Sequence, residues 1–191
     1  MERASWLERR YGATVEWRPF DLHPEYPPEG IPRAQLLARY GAEFATQVTR
    51  MIEGAGLVHD PPPQRVPNSN RALRLTELAR DRGVHDALHH RLLTGYWSHR
   101  LDLGDPEVLV AEAAAVGIAE ADARAALDSE ALAARVEAST RTALRNGVGG
   151  VPAWSIDQRL IVPGAQPHEV FDSLLRRLGH RPLDPGEDGR E

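Results

Sequence analysis

Cysteine is absent from this 191-residue chain, and lysine is absent too, so all 23 basic residues are arginine. The first absence excludes thiolate nucleophiles, disulfides and thiolate-ligated zinc; the second excludes Schiff bases and a P-loop lysine. No excess of positive charge is present either: the net charge is -5, with 27% charged and 41% hydrophobic residues. That balance is ordinary for a globular protein, and unlike a disordered chain or a cationic nucleic-acid binder. No apolar run approaches the length of a membrane span, and Met1 to Arg10 holds no secretory segment, so the expected compartment is the cytoplasm.

Periodicity orders what is there. Ala4, Leu7 and Tyr11 repeat as a helix that Gly12 stops, and the chain enters this helix with no strand before it. Thr14 to Arg18 alternates, with Val15 and Trp17 on one face, and predicts a short strand limited by Pro19. Pro24, Pro27, Pro28, Gly30 and Pro32 make residues 21–32 an extended linker. From Arg33 to Asn146 the period is helical, opening with a core-facing stripe of Leu36, Tyr40, Phe44, Val48 and Ile52 backed by Leu37 and Met51.

Helix boundaries follow from caps. Asn68, Ser69 and Asn70 offer N-caps for one helix, Asp105 with Pro106 for another that Gly117 closes, and Asp128 or Ser129 for the last, which runs to Gly147. Then the period returns to two: Ala153 to Asp157 and Leu160 to Val162 read as strands around a short turn. A helix from Pro167 to Gly179 follows, with Gln166 as its expected cap. The residues alone therefore predict a split α+β domain with a long helical insert.

No catalytic constellation emerges from these residues. His85 and His89 share one helical face beside Val84, Leu88 and Leu92, and read as a solvated flank rather than a metal site, so no metal is expected. No nucleophile elbow is present, and Ser155 sits inside a strand. The glycines at 147, 149 and 150 permit a tight backbone approach but lack the lysine of a phosphate loop. By base rate alone, Pro152 is expected to follow a trans bond.

Four runs carry a resemblance: VEWRPFDLHPEYPPEG (Val15 to Gly30), PNSNRAL (Pro67 to Leu73), YWSHRLDLGDPEVL (Tyr96 to Leu109) and GVGGVPAWSIDQRLIVPGAQPHEVF (Gly147 to Phe171). Together they resemble the DsbA-family thioredoxin-fold oxidoreductases of the FrnE-like branch. The resemblance implies an α/β, thioredoxin-like fold with a large all-helical insertion, lacking the first, central strand. Residues 1–32 and 148–180 are then the thioredoxin-like domain, 33–147 the insertion and 181–191 a disordered tail. It also implies a cis bond before Pro152, with Gly150, Val151 and Pro152 binding a peptide or a small thiol or disulfide. Asn68, Gly164, Ala165 and Gln166 correspond to positions that line the glutathione site of kappa-class transferases and 2-hydroxychromene-2-carboxylate isomerases.

The family places a CxxC or a serine variant ahead of its first helix, and this chain starts inside that helix. The expectation is that an upstream strand and its reactive motif precede Met1 in the complete protein. The activity implied is thiol-disulfide exchange, with no disulfide turnover by this cysteine-free chain. The alternatives are a glutathione-dependent isomerase or transferase, with glutathione as cosubstrate and no other cofactor, and a noncatalytic peptide-binding module. Neither a nucleic-acid nor a membrane partner is expected.

Overall fold

The structure is a computed structural model that describes residues 2–54, 56–60 and 64–183. The elements run α1 (Glu2–Tyr11), β1 (Ile31–Pro32), α2 (Arg33–Tyr40), α3 (Ala42–Gly54), β2 (Arg65–Val66), α4 (Asn70–Asp81), α5 (His85–Ser98), α6 (Pro106–Ala114), α7 (Glu120–Leu127), α8 (Glu130–Arg145), β3 (Ala153–Ile156), β4 (Leu160–Pro163) and α9 (His168–Arg177). They fall into two compact units. One joins the described residues up to Arg18 with those from Gly147 onward, and the other spans Pro19–Asn146. No helix among the described residues is long and apolar enough to cross a membrane.

In the first unit, β3 and β4 form an antiparallel hairpin with Trp154 opposite Val162 and Ile156 opposite Leu160. Its turn needs positive φ, which Asp157 (51°) and Gln158 (56°) supply, and the Arg159 N–H closes it on the Ile156 carbonyl at 2.9 Å. Such left-handed pairs match the twist of the flanking strands. Trp154, Ile156, Leu160 and Val162 fall on one face by the period of two, and pack with Leu7 of α1 and Phe171 and Leu175 of α9. Phe171, only 1% exposed, meets Trp154 edge-on at 5.2 Å.

Several expectations for this unit are corrected. Residues 14–18 form no strand: half-buried Val15 and Trp17 alternate with exposed Thr14, Glu16 and Arg18, but no ladder joins the segment to a neighbour. Alternation reports one buried face, whereas a strand also needs a paired backbone. The cap of α9 is Pro167, since the Gln166 amide turns back to donate to the Pro163 carbonyl at 2.7 Å. Of the expected tail, Leu183 is held on α1 by its N–H to the Arg10 carbonyl at 2.8 Å, and residues 184–191 lie outside the described residues.

The second unit is built on a helical core. Leu75, Leu88 and Leu109 are fully buried, with Ala79, Ala113 and Ala123 as close-packing small residues between α4, α5, α6 and α7. Asp105 caps α6 by accepting the Glu107 N–H, and Ser129 caps α8 by accepting that of Leu132. The stripe expected from Leu36 to Ile52 is broken: Gly41 (φ 80°, ψ 171°) separates α2 from α3 and resets the helical phase. Ile52 is buried at 5% exposure, whereas Leu37, Tyr40 and Met51 lie at 39–43%.

Residues 19–32 cluster with the helical unit rather than with the flanks. The Asp21 N–H donates to Thr140 Oγ1 at 2.9 Å, Asp21 Oδ2 accepts from Asn70 Nδ2 at 2.9 Å, and β1 pairs with β2. Gly30 (φ 72°) passes so close to β2 that a Cβ there would collide with the Val66 carbonyl. The buried Glu77 carboxylate is held by Arg80 at 3.0 Å and by Arg135 of α8 at 2.7 Å, tying α4 to α8.

Candidate functional site

The loop entering β3 carries the candidate residues. Gly147 adopts φ 82°, and a Cβ placed on Gly149 or Gly150 would meet nothing within 4 Å, so this backbone lies open. The Val151–Pro152 bond is cis, which corrects the trans expectation drawn from proline frequencies and has the geometry that the resemblance implies. The Pro152 carbonyl accepts the Gly164 N–H at 2.8 Å, so the hairpin ladder continues one pair beyond β3 and β4.

That bond sets the parity of the strand. Residues alternate between facing a neighbour and facing away, so within β3 Trp154 and Ile156 direct their backbone groups to β4, as the Pro152 carbonyl does, while Ala153 and Ser155 direct theirs away from it. Val151 is 53% exposed, and its N–H and carbonyl make no hydrogen bond among the described residues. Val151 lies in a bend that leads into β3, and an exposed backbone with both groups vacant can pair with an incoming peptide.

The other expected residues divide. Gly164 (φ 77°) joins Pro152 directly, and Ala165 follows it as an exposed residue. Gln166 is occupied by its own turn: its amide binds the Pro163 carbonyl, and its carbonyl accepts Arg3 Nε at 3.2 Å. Asn68 belongs to the helical unit, where Nδ2 donates to the Tyr26 carbonyl at 2.7 Å and Oδ1 accepts the Asn70 N–H at 2.9 Å. One end of that amide therefore holds the loop of residues 21–30, and the other holds the first N–H of α4.

Among the described residues, no three His, Asp or Glu side chains are gathered to hold a metal. The His85 and His89 rings stack 5.5 Å apart on α5, and His85 Nδ1 lies 2.9 Å from Asp86. Burial, followed by the repulsion of His85, lowers the His89 pKa to about 4, so this ring is neutral at physiological pH.

A family model described as a DSBA-like thioredoxin domain matches residues 2–176. This chain belongs to that DsbA-like family. It is also similar to the crystal structure of a probable DsbA oxidoreductase from Streptomyces coelicolor, with 30% identity and a TM-score of 0.76 over 90% of this chain and 81% of that one. No curated protein matches it. The DsbA-like fold accounts for mostly helical content with small sheets, and the family is of the thiol-disulfide oxidoreductase kind. Within these 191 residues, however, the DsbA-like scaffold holds no sulfur nucleophile.

Proposed function

We propose that this DsbA-like chain supplies the substrate-docking half of a thiol-disulfide exchange site. Exchange proceeds by attack of a thiolate on one sulfur of a disulfide, forming a mixed disulfide and releasing the other sulfur as a thiolate. None of those sulfurs belongs to the chain. Its contribution is to hold an extended segment of the disulfide-bearing peptide against Val151, while the attacking thiol comes from outside these 191 residues.

The observation that carries this reading is the open backbone of Val151, 53% exposed, beside a Pro152 carbonyl fixed by Gly164. Gly149 and Gly150 leave room above it for side chains of the bound segment. A glutathione-centred reading draws less support, because the Asn68 and Gln166 amides that would meet that tripeptide are engaged in local hydrogen bonds.

Two measurements test the proposal. With dithiothreitol as reductant, the chain should not accelerate insulin reduction above the uncatalysed rate. By calorimetry, it should bind an extended disulfide-containing peptide, and Val151→Pro, which deletes the N–H, should weaken that binding about tenfold or more. Turnover without added protein thiol, or equal affinity in Val151→Pro, would overturn it.

A further inference from the structure

The helical unit ends at Asn146, and Gly147 begins the return of the chain to the other unit. An asparagine followed by glycine carries its own chemistry. The glycine nitrogen can close a ring on the side-chain carbonyl carbon of the asparagine, and no Cβ on the glycine hinders the approach.

The chain has three asparagines, at 68, 70 and 146, and the structure treats them differently. Asn68 and Asn70 are half-buried, and both ends of each amide are held. Asn68 bonds to Tyr26 and Asn70, while Asn70 donates to Asp21 Oδ2 at 2.9 Å and accepts from Arg74 Nε at 2.7 Å. Asn146 is exposed, just past the last turn of α8, and its side chain makes no hydrogen bond among the described residues. Its own N–H is anchored on the Thr142 and Ala143 carbonyls at 3.2 and 3.1 Å.

The attacking group is equally open. The Gly147 N–H makes no hydrogen bond among the described residues, and a Cβ placed on this glycine would meet nothing within 4 Å. Asn146 has ψ 10°, so the Gly147 nitrogen must swing toward Cγ before it attacks. No hydrogen bond of Gly147 opposes that rotation.

We propose that Asn146–Gly147 is a site of spontaneous backbone modification, at which the asparagine becomes isoaspartate. The Gly147 nitrogen forms a bond to Asn146 Cγ and gives up its proton, while the Cγ–Nδ2 bond breaks and Nδ2 leaves as ammonia. Water then opens the ring. Cleavage between Gly147 N and Cγ leaves aspartate, whereas cleavage between Gly147 N and the Asn146 backbone carbonyl carbon leaves isoaspartate, whose main chain runs through Cβ and Cγ. No electrons are transferred, and water is the only co-reactant. Isoaspartate lengthens by one carbon the main chain that leads from α8 to the glycines before Val151. Either product also puts a negative charge at the C-terminus of α8, where the helix dipole disfavours it. None of this chemistry depends on substrate docking at Val151.

To test it, the full 191-residue chain is held in warm, mildly alkaline buffer, one sample folded and another in urea, and both are digested with trypsin. Cleavage after Arg145 and Arg159 releases residues 146–159 as one peptide, and cleavage after Arg65 and Arg71 releases residues 66–71 with Asn68 and Asn70. Mass spectrometry reads the change of amide to acid, and electron-transfer fragmentation separates isoaspartate from aspartate. In the folded chain Asn146 should convert at least about tenfold faster than Asn68 or Asn70, and within about tenfold of its own rate in urea, because no hydrogen bond has to open first. Both products should appear, since either ring carbonyl can take water. Asn146→Gln, which would need a larger ring, should leave the 146–159 peptide unmodified with the far-UV circular dichroism of the parent.

An unmodified Asn146, or aspartate without isoaspartate, overturns the proposal. So does a folded rate more than about tenfold below the rate in urea, which would show the fold holding the nitrogen away from Cγ. Equal conversion of the peptide in Asn146→Gln also overturns it, by placing the change at another residue.

Discussion

Replacing Asn68 by alanine separates a scaffolding residue from a ligand-binding one. The substitution deletes the 2.7 Å bond to the Tyr26 carbonyl and the 2.9 Å bond from the Asn70 N–H. Each contributes about 1 kcal/mol net, and a polar group left dry adds on the order of another 1–2 kcal/mol. Tyr26 is only 8% exposed, so its carbonyl is the group that water reaches with difficulty. The expected loss is therefore about 2–4 kcal/mol of stability in the helical unit. In a protein of this size that lowers Tm by on the order of 5–10 °C.

The assay is urea unfolding followed by far-UV circular dichroism, with Asn68→Asp as a companion. The aspartate keeps an acceptor for the Asn70 N–H and loses the donor to Tyr26, so its loss should fall between the parent and the alanine variant. Peptide affinity at Val151 should be unchanged in both, because that strand lies in the other unit. A stability within about 0.5 kcal/mol of the parent, together with reduced affinity for glutathione, would refute the scaffolding role and restore the ligand-binding one.

Other perturbations probe the same framework. The unfolded chain protonates His89 near 6.5 and the folded chain near 4, so the unfolded state holds more protons between those values. Stability should rise with pH from about 4 to 6.5, by no more than about 3 kcal/mol, and level off above; in His89→Leu the urea midpoint should lose that slope. Gly30→Ala puts a Cβ against the Val66 carbonyl at positive φ, and should cost at least about 2 kcal/mol in the same unfolding measurement. Arg135→Ala strips buried Glu77 of its α8 partner and should cost about 3 kcal/mol, and an apolar pair at 77 and 135 should recover much of that loss on thermal unfolding.

The sequence was most legible where one residue and its near neighbours decide the outcome. Asp105 with Pro106, and Ser129, cap the helices they were expected to cap, and Gly12 and Gly179 end theirs at positive φ. Local signals fail where the deciding partner is distant. Residues 14–18 alternate as a strand does, yet strand formation depends on a neighbouring backbone that no local pattern reveals. Helix α7 escapes separate notice because Ala121, Ala123, Ala125 and Ala126 give little contrast between its faces.

The candidate site divides along the same line. The glycines before Val151 and Pro152 were expected to permit a tight backbone approach, whereas a Cβ placed on any of Gly147, Gly149 or Gly150 would meet nothing within 4 Å. Asn68 and Gln166 were tied to a ligand by resemblance. Asn70 and Pro163, which hold one end of each amide, are near neighbours in sequence, whereas Tyr26, which accepts from Asn68, is a partner that only the folded chain brings within reach. The direction in which Ser155 presents its backbone depends on the register with β4, and register is a property of the pair.

The most direct measurement is a heteronuclear NMR titration of the full chain with an extended disulfide-bearing peptide, reading the Val151 amide. The account predicts a downfield shift of that resonance and a scalar coupling across a new hydrogen bond to a peptide carbonyl. Saturable binding that leaves the Val151 amide unmoved would contradict it.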